Sequence, residues 1–318
     1  MTGRPLGWGA RQEVDQSHAA FRFHAERVIR AVVGRYANHP AVVGFQVDNV
    51  PGLVLPRNEG VFQRFVDELR HQYGTVEELN RARGLVYWSR RLSTWADLWR
   101  PDGNAQPQYS LAWRRFRARL VTEFIGWQAA IVRELARPDQ FVTTCIDYPR
   151  AGVEDDALAA VLDVTSGNAY YEPQDAVTLP DDATGTTPPY VVSAGVWSLY
   201  QKADRMWSSR QEPFLVTETN AAHIIAAASR LRLSGPAAAG GVGDGVPRRA
   251  DGRVLALAHH ALRHRDDVGG ILPHSGEPGR VYREVARIGE ELSAAGALVA
   301  GVEPDADVAS SVRGPRPG

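Results

Sequence analysis

The chain has 318 residues, of which 44% are hydrophobic and 23% charged, as is ordinary for a globular protein. A formal net charge of -1 gives no reason to expect nucleic acid or an anionic membrane as partner. No apolar stretch approaches the roughly 20 residues that span a bilayer. The single cysteine excludes an internal disulfide framework, and with no secretory signal visible it favours a cytoplasmic location.

Helices and strands alternate along the chain. Apolar residues at helical spacing predict a helix over residues 17–36, which ends before Pro40 because the residue before proline avoids the α region. A buried strand is predicted over residues 41–49, and an amphipathic helix over 61–74 with Gly74 as its stop and Thr75 as the cap of a short following helix. Later elements are a helix over 111–136, strands over 141–147, 163–171 and 213–220, and a helix over 198–210.

Strands separated by helices predict a parallel sheet covered by helices, and this pattern alone leaves open whether the sheet closes into a barrel. In both arrangements, reacting groups collect where the strands end. Polar residues mark three such ends: Asp48 with Asn49, Asn168 with Tyr170, and Glu218 with Asn220.

Glu218 is the most convincing candidate for chemistry. A carboxylate at the end of a strand is held by a fixed backbone and is only partly exposed to water. Both properties suit the nucleophile of a glycosidase. Retaining glycosidases need two carboxyl groups about 5 Å apart, one attacking the sugar and one protonating the leaving oxygen. The alternatives are structural: Glu218 could cap a helix or pair with an arginine, and Asn49 could be a turn residue.

Four segments of the chain resemble one enzyme family. HPAVVGFQVDN, followed by PG, is similar to HPAV-x-G-[FW]-Q-[IV]-D-N-E of the glycoside hydrolase family 42 β-galactosidases. RFVDELRHQYGTVEELN with YWSRRLSTWADLW is similar to the family's next segment, and QEPFLVTETNA to its nucleophile strand. GGILPHSGEPGRVYREVARIGEEL resembles the close of the catalytic domain, so the resemblance covers about residues 3–223 and 269–308.

The resemblance implies a (β/α)8 TIM-barrel catalytic domain that hydrolyses terminal non-reducing β-D-galactosides with retention and without a cofactor. Carried over by position, Glu218 is the nucleophile and Asn49 donates to the 2-hydroxyl of the sugar. Tyr170 matches the tyrosine beside the nucleophile. His274 lies in a segment near the mouth of the pocket.

The position of the family's general acid/base, directly after Asn49, is occupied by Val50. Valine cannot donate or accept a proton, and a single GAG to GTG codon change would produce it. Asp48 is not expected to substitute, because strand alternation would turn its side chain away from Asn49 and it is one methylene shorter than glutamate. The sequence therefore predicts a hydrolase that is inactive or crippled.

The resemblance also predicts an N-terminally truncated, incomplete barrel, because the family's first strands precede the start of this chain. Residues 1–223 are expected to form a partial barrel, 224–267 an aberrant segment, and 268–318 the end of the catalytic domain with the start of a linker or further domain. The resemblance implies a homotrimeric family, and this chain is expected to lack the domains that the family uses for trimerisation.

Residues 224–267 match neither the family nor a strand pattern, and their Ala, Gly and Arg content is typical of a GC-rich gene read in the wrong frame. One choice of codons for VLALAHH (residues 254–260) reads, shifted by one base, as YWHWHT, which the family has at this place. The hypothesis is a frameshift that removes the last strand of the barrel.

Other side chains allow simpler interpretations. His260 and His264 have helical spacing, but Ala261 stands where a zinc-protease motif has glutamate, so no metal site is predicted. Trp88, Trp95 and Trp99 are compatible with a sugar platform or with loop packing. Cys145 is expected to be a small buried hydrophobic residue.

The sequence therefore leaves three functions open. They are a β-galactosidase-type hydrolase acting on a small-molecule β-galactoside, a galactoside-binding remnant without catalysis, and the non-functional product of a decaying gene.

Overall fold

The computed structural model describes residues 14–52, 55–101, 106–148, 152–169, 197–219, 250–252, 271–272 and 275–299. Helices and strands alternate over these ranges, as the hydrophobic pattern predicts. The elements are α1 (Ala19–Tyr36), β1 (Gly44–Gln46), α2 (Glu59–Tyr73), α3 (Val76–Arg83), α4 (Pro107–Leu135), β2 (Phe141–Thr143), α5 (Asp155–Ala160), β3 (Thr165–Ala169), α6 (Trp197–Arg210), β4 (Phe214–Thr219), β5 (Ala250–Gly252) and α7 (Arg280–Val299).

The junction of α2 and α3 shows why the predicted helix ends are confirmed. Gly74 has φ +72, a backbone conformation that stops α2 and that side chains with a Cβ rarely adopt. Thr75 Oγ1 then accepts the backbone N–H of Glu78 at 3.2 Å, which caps the start of α3.

All strand pairs in the described residues are parallel. β1 pairs with β2, and β3, β4 and β5 form a second group in that order. A bridge between Ile146 and Gly167 connects β2 with β3. Spatial order therefore follows chain order, as in a barrel, and does not reverse as in a doubly wound sheet.

All four predicted strands are shorter in the structure, and β5 has no counterpart among the predicted strands. The strand expected over residues 41–49 is confined to Gly44–Gln46, because Val42 N–H bonds to His39 O in a turn and Asp48 has φ +56. β5 lies within residues 224–267, the segment expected to be aberrant, and its backbone pairs with β4 from Phe214 to Val216.

The main core lies between the strands and the helices α1, α4 and α6. Ile125, Val142, Ile146 and Phe214 are almost completely buried in it. A second cluster joins α2 to the first half of α4, where the ring of Phe65 packs at a tilt against Trp113 and other aromatic rings. This burial fixes the helices behind the sheet and leaves the strand ends to carry polar side chains.

No helix in the described part of the chain is long and apolar enough to cross a membrane.

Candidate functional site

Polar side chains converge where β1 to β4 end. Asn49 and Val50 follow β1, Cys145 follows β2, Asn168 lies in β3 and Glu218 in β4. Because the strands are parallel neighbours, their carboxyl ends lie at one edge of the sheet. The structure thus brings together Asn49, Val50 and Glu218, which are far apart in the sequence.

Glu218 is held between β3 and the chain after β2. Asn168 Nδ2 donates to Glu218 Oε2 at 2.9 Å. Cys145 Sγ lies 4.0 Å from the other carboxylate oxygen, Oε1. The carboxylate therefore has one oxygen in a firm hydrogen bond and the other facing a weak sulfur donor.

Asn49 is anchored through its side-chain oxygen. Its Oδ1 accepts from Cys145 Sγ at 3.0 Å and from Gln46 Nε2 at 3.3 Å. Two donors on one atom determine which end of the amide faces Cys145. The same sulfur lies 4.0 Å from Glu218 Oε1, so Cys145 lies between the Asn49 amide and the carboxylate.

Val50 occupies the buried position next to this pair. Its side chain is 5% exposed and its backbone has φ +53, which is unusual for a β-branched residue. The backbone N–H of Val50 donates to Cys145 Sγ at 3.1 Å, and that sulfur is the atom 4.0 Å from Glu218. One sulfur atom therefore separates the Val50 backbone from Glu218, and the side chain there carries no group that transfers a proton.

Asp48 does not behave as strand alternation predicts. β1 ends at Gln46, so the alternation argument for the direction of the Asp48 side chain is wrong. Its Oδ1 accepts the backbone N–H of Asn49 at 2.6 Å, a turn contact that orients one of its carboxylate oxygens toward its own backbone.

Cys145 is buried as predicted, but the expectation that it is only a small hydrophobe is incomplete. Burial raises the pKa of the Cys145 thiol to about 11, and the charges of Glu218 and Asp48 act in the same direction. Hydrogen bonds from the Val50 backbone and the Asn168 side chain act the other way. The group is a neutral thiol near pH 7, and so a donor. The sequence gives no signal for this role, because the strand predicted over residues 141–147 continues past Cys145, whereas β2 ends at Thr143.

Two further residues at this edge are missing from the predicted site. The sequence marks Asn168 only as a polar residue at a strand end, and nothing in it singles out Thr217. Thr217 Oγ1 donates to Asn168 Oδ1 at 3.0 Å, so both belong to the surroundings of Glu218. Tyr170 and His274, which the resemblance assigns to substrate binding, lie outside the described residues.

The three tryptophans differ in their surroundings. Trp95 packs against the α2–α4 cluster, with the Arg70 guanidinium over its ring, which fits the packing interpretation. Trp88 is 72% exposed and stacks on Tyr87, and Trp99 is also exposed.

Within the described ranges, no group of three or more His, Cys, Asp or Glu residues is arranged to hold a metal ion. The histidines of residues 259–264 lie outside those ranges.

Comparison with known proteins points to one family. A family model described as β-galactosidase matches residues 1–295. A β-galactosidase of Haloferax lucentense is 27% identical over 320 residues, which cover 91% of this chain and 44% of that protein. A β-galactosidase of Clostridium cellulovorans is 32% identical over 129 residues, 40% of this chain and 19% of that protein.

Solved structures of β-galactosidases have a fold similar to that of this chain. The β-galactosidase from the psychrophilic Marinomonas ef1 superposes with a TM-score of 0.77 at 19% identity, covering 92% of this chain and 46% of that chain. The enzyme from Rahnella sp. R3 superposes with a TM-score of 0.75 at 25% identity, covering 92% and 42%. This chain spans less than half the length of each of these relatives and structures.

These likenesses confirm the predicted fold class, the (β/α)8 TIM barrel of the catalytic domain, of which β1 to β5 are consecutive strands. The family match extends over nearly the whole chain, well beyond the four segments whose motifs carried the resemblance. The chain belongs to glycoside hydrolase family 42, the family of these β-galactosidases.

Proposed function

We propose that this chain is a β-galactosidase-type retaining glycoside hydrolase whose general acid/base is lost at Val50. Its substrates are small terminal non-reducing β-D-galactosides, with Glu218 as nucleophile and Asn49 as donor to the 2-hydroxyl. On the resemblance alone, Tyr170 and His274 complete the sugar site. The observation that carries the proposal is a buried valine beside a strand-end carboxylate that keeps its polar neighbours.

Glu218 has what a nucleophile needs. In the first step a carboxylate oxygen forms a bond to the anomeric carbon while the glycosidic C–O bond breaks, and the leaving oxygen takes the bonding electrons. The carboxylate must be oriented for this attack, and the 2.9 Å hydrogen bond from Asn168 supports that orientation.

The side chain of Val50 cannot supply the proton that the leaving oxygen needs. A sugar alkoxide is a poor leaving group that needs a proton as it departs, and general acid catalysis contributes roughly 10²–10⁴-fold. Asp48 holds one carboxylate oxygen against the Asn49 backbone N–H and is one methylene shorter than glutamate, so we do not expect it to replace the acid. Galactosides whose leaving group is already a stable anion, such as dinitrophenolate, need no acid and remain substrates for the first step.

A galactoside-binding protein without turnover is the second candidate. The anchored Asn49 amide favours it, since a preoriented amide binds a sugar hydroxyl whether or not bond cleavage follows. The third candidate, a non-functional product of a decaying gene, predicts that the purified chain shows no cooperative unfolding.

The single cysteine and the small net charge support two further parts of the proposal. The chain works in a reducing compartment such as the cytoplasm, and its partner is a small sugar rather than a nucleic acid.

The test is covalent trapping with 2,4-dinitrophenyl 2-deoxy-2-fluoro-β-D-galactoside, whose fluorine slows hydrolysis of the glycosyl-enzyme. We expect the intact mass to rise by one fluorogalactosyl group, and peptide mapping to find it on Glu218. Glu218→Gln is the matched control and should stay unlabelled. A label on another residue overturns the assignment of the nucleophile. A folded, galactose-binding chain that is never labelled favours the second candidate.

A further inference from the structure

We infer that Asn168 and Thr217 are positioning residues that orient the Glu218 carboxylate through a two-step hydrogen-bond relay. The inference rests on the proposed function, because it gives these two residues a role only if Glu218 is the attacking group. It gives a role to Asn168, which the sequence marks only as a polar strand-end residue, and to Thr217, which the sequence does not single out.

A β-bulge in β4 creates the relay. The register of β3 and β4 pairs Gly167 with Val216 but Asn168 with Glu218, so that Thr217 is an extra residue opposite the same stretch of β3. In a regular strand, successive side chains point to opposite faces of the sheet. Here the bulge lets Thr217 and Glu218 both reach the side chain of Asn168, and bulges beside active sites commonly redirect a side chain in this way.

The hydrogen bonds run in one direction. Thr217 Oγ1 donates to Asn168 Oδ1 at 3.0 Å, and Asn168 Nδ2 donates to Glu218 Oε2 at 2.9 Å. An ionised carboxylate only accepts, so it takes the NH₂ end of the amide, and the Thr217 hydroxyl then donates to the remaining amide oxygen and holds the amide in place. A flipped Asn168 would place its oxygen against the carboxylate and lose the hydrogen bond to Glu218.

Burial makes this orientation costly to lose. Asn168 is 2% exposed and Thr217 is 8% exposed, so little water is available to replace a broken bond. The relay is anchored on Oε2, whereas Oε1 is the oxygen that faces Cys145 at 4.0 Å. Fixing one oxygen fixes the rotation of the whole carboxylate, and a displacement of about 1 Å at a reacting atom costs on the order of 10²-fold in rate.

Two isosteric changes at Thr217 separate positioning from packing. Thr217→Val keeps the shape and the β-branch but removes the donor, and Thr217→Ser keeps the donor. The full chain and both variants are labelled with the dinitrophenyl fluorogalactoside, and the maximal labelling rate constant is separated from the half-saturating concentration. Thermal unfolding checks that all three are folded.

We expect Thr217→Val to lower the maximal labelling rate by about 10- to 100-fold, with the half-saturating concentration changed less than about twofold, and Thr217→Ser to remain near the parent. Asn168→Asp serves as a second probe, since it places a carboxylate against Glu218. Two such groups share a proton, so the acid limb of the pH–rate profile for labelling should move to higher pH.

The outcomes are distinguishable. If the parent is labelled on Glu218 and a folded Thr217→Val is labelled equally fast, the relay is unnecessary and the inference is wrong. An unchanged pH profile in a folded Asn168→Asp would show that Asn168 does not position the carboxylate. If the folded parent is never labelled, the proposed function itself fails, and the role for the relay fails with it.

Discussion

At the scale of single residues, Val50 and Cys145 carry the proposal that the site lacks its acid while its polar surroundings remain. Val50 has a positive φ, which costs a β-branched side chain on the order of 1–3 kcal/mol. Its backbone N–H nevertheless bonds to Cys145 Sγ, and that sulfur also contacts Asn49. The strained backbone at position 50 therefore holds a contact of the site rather than favouring the valine side chain, which supports the proposal that valine replaces another residue here.

The Cys145 thiol gives a pH-dependent prediction. Its pKa is raised in the folded chain from 9.0 to about 11, chiefly by burial. A raised pKa favours folding with the proton bound, so this stabilisation is complete below pH 9 and is lost as the pH rises through about 11. We expect the thermal unfolding midpoint of the parent to fall more steeply between pH 9 and 11 than that of Cys145→Ala.

Equal slopes for the parent and the alanine variant would contradict the buried, neutral thiol. Fast alkylation of the native thiol by iodoacetamide at pH 7 would contradict it as well, because the reactive species is the thiolate.

At the scale of elements, the sequence predicts helices better than strand ends. The ends of α2 and α3 follow from Gly74 and Thr75, because stop and cap signals are local. β1 is overextended in the prediction, because apolar residues after Pro40 look like a strand although a turn and a positive φ surround the three paired residues. Strand limits depend on the neighbouring strand, which the sequence does not specify locally.

The sequence predicts some residues of the candidate site and misses others, because local patterns do not show contacts between strands. Glu218 and Asn49 are visible from the strand-end pattern and the family motif. Thr217 is not, because its role depends on a bulge between two strands that are about 50 residues apart. Cys145 looks like a core residue in sequence, since its neighbours in the chain are apolar or small.

Helix α1 offers a matched pair for testing the packing of an element. Val33 is 3% exposed in the main core, whereas the adjacent Val32 is 48% exposed. We expect Val33→Ala to lower the free energy of unfolding by about 2 kcal/mol through lost burial and a small cavity. Val32→Ala should change it by less than about 0.5 kcal/mol, since alanine is also the better helix former.

Urea unfolding of the two variants measures the difference directly. Equal effects of both substitutions would contradict the packing of α1 on α4. An unfolding curve without a cooperative transition would support the third candidate, the product of a decaying gene.

At the scale of the whole molecule, consecutive parallel strands of a family 42 barrel surround the candidate site. Among the described strands, β1 and β5 each pair with one neighbour. β5 belongs to residues 224–267, whose composition suggests the frameshift hypothesis, and three residues of that segment continue the sheet beside β4.

The frameshift hypothesis is tested on the gene. If it is right, translating the two neighbouring frames across residues 224–267 should reveal an aromatic-rich stretch close to YWHWHT. Stop codons or unrelated sequence in both frames would make the segment a genuine insertion. Because this test needs no protein, it is independent of whether the chain is active.

The central claim, a nucleophile without its acid, is tested most directly by the dependence of turnover on the leaving group. The purified chain is assayed with 2,4-dinitrophenyl β-D-galactoside and with lactose, each with and without azide, and with Glu218→Gln as control. We predict that the parent, but not Glu218→Gln, releases dinitrophenolate. Azide should speed turnover and form galactosyl azide, because a small anion needs no general base. Lactose should not be cleaved, because its glucose leaving group needs an acid. Hydrolysis of lactose at a rate comparable to that of the dinitrophenyl substrate would contradict the claim.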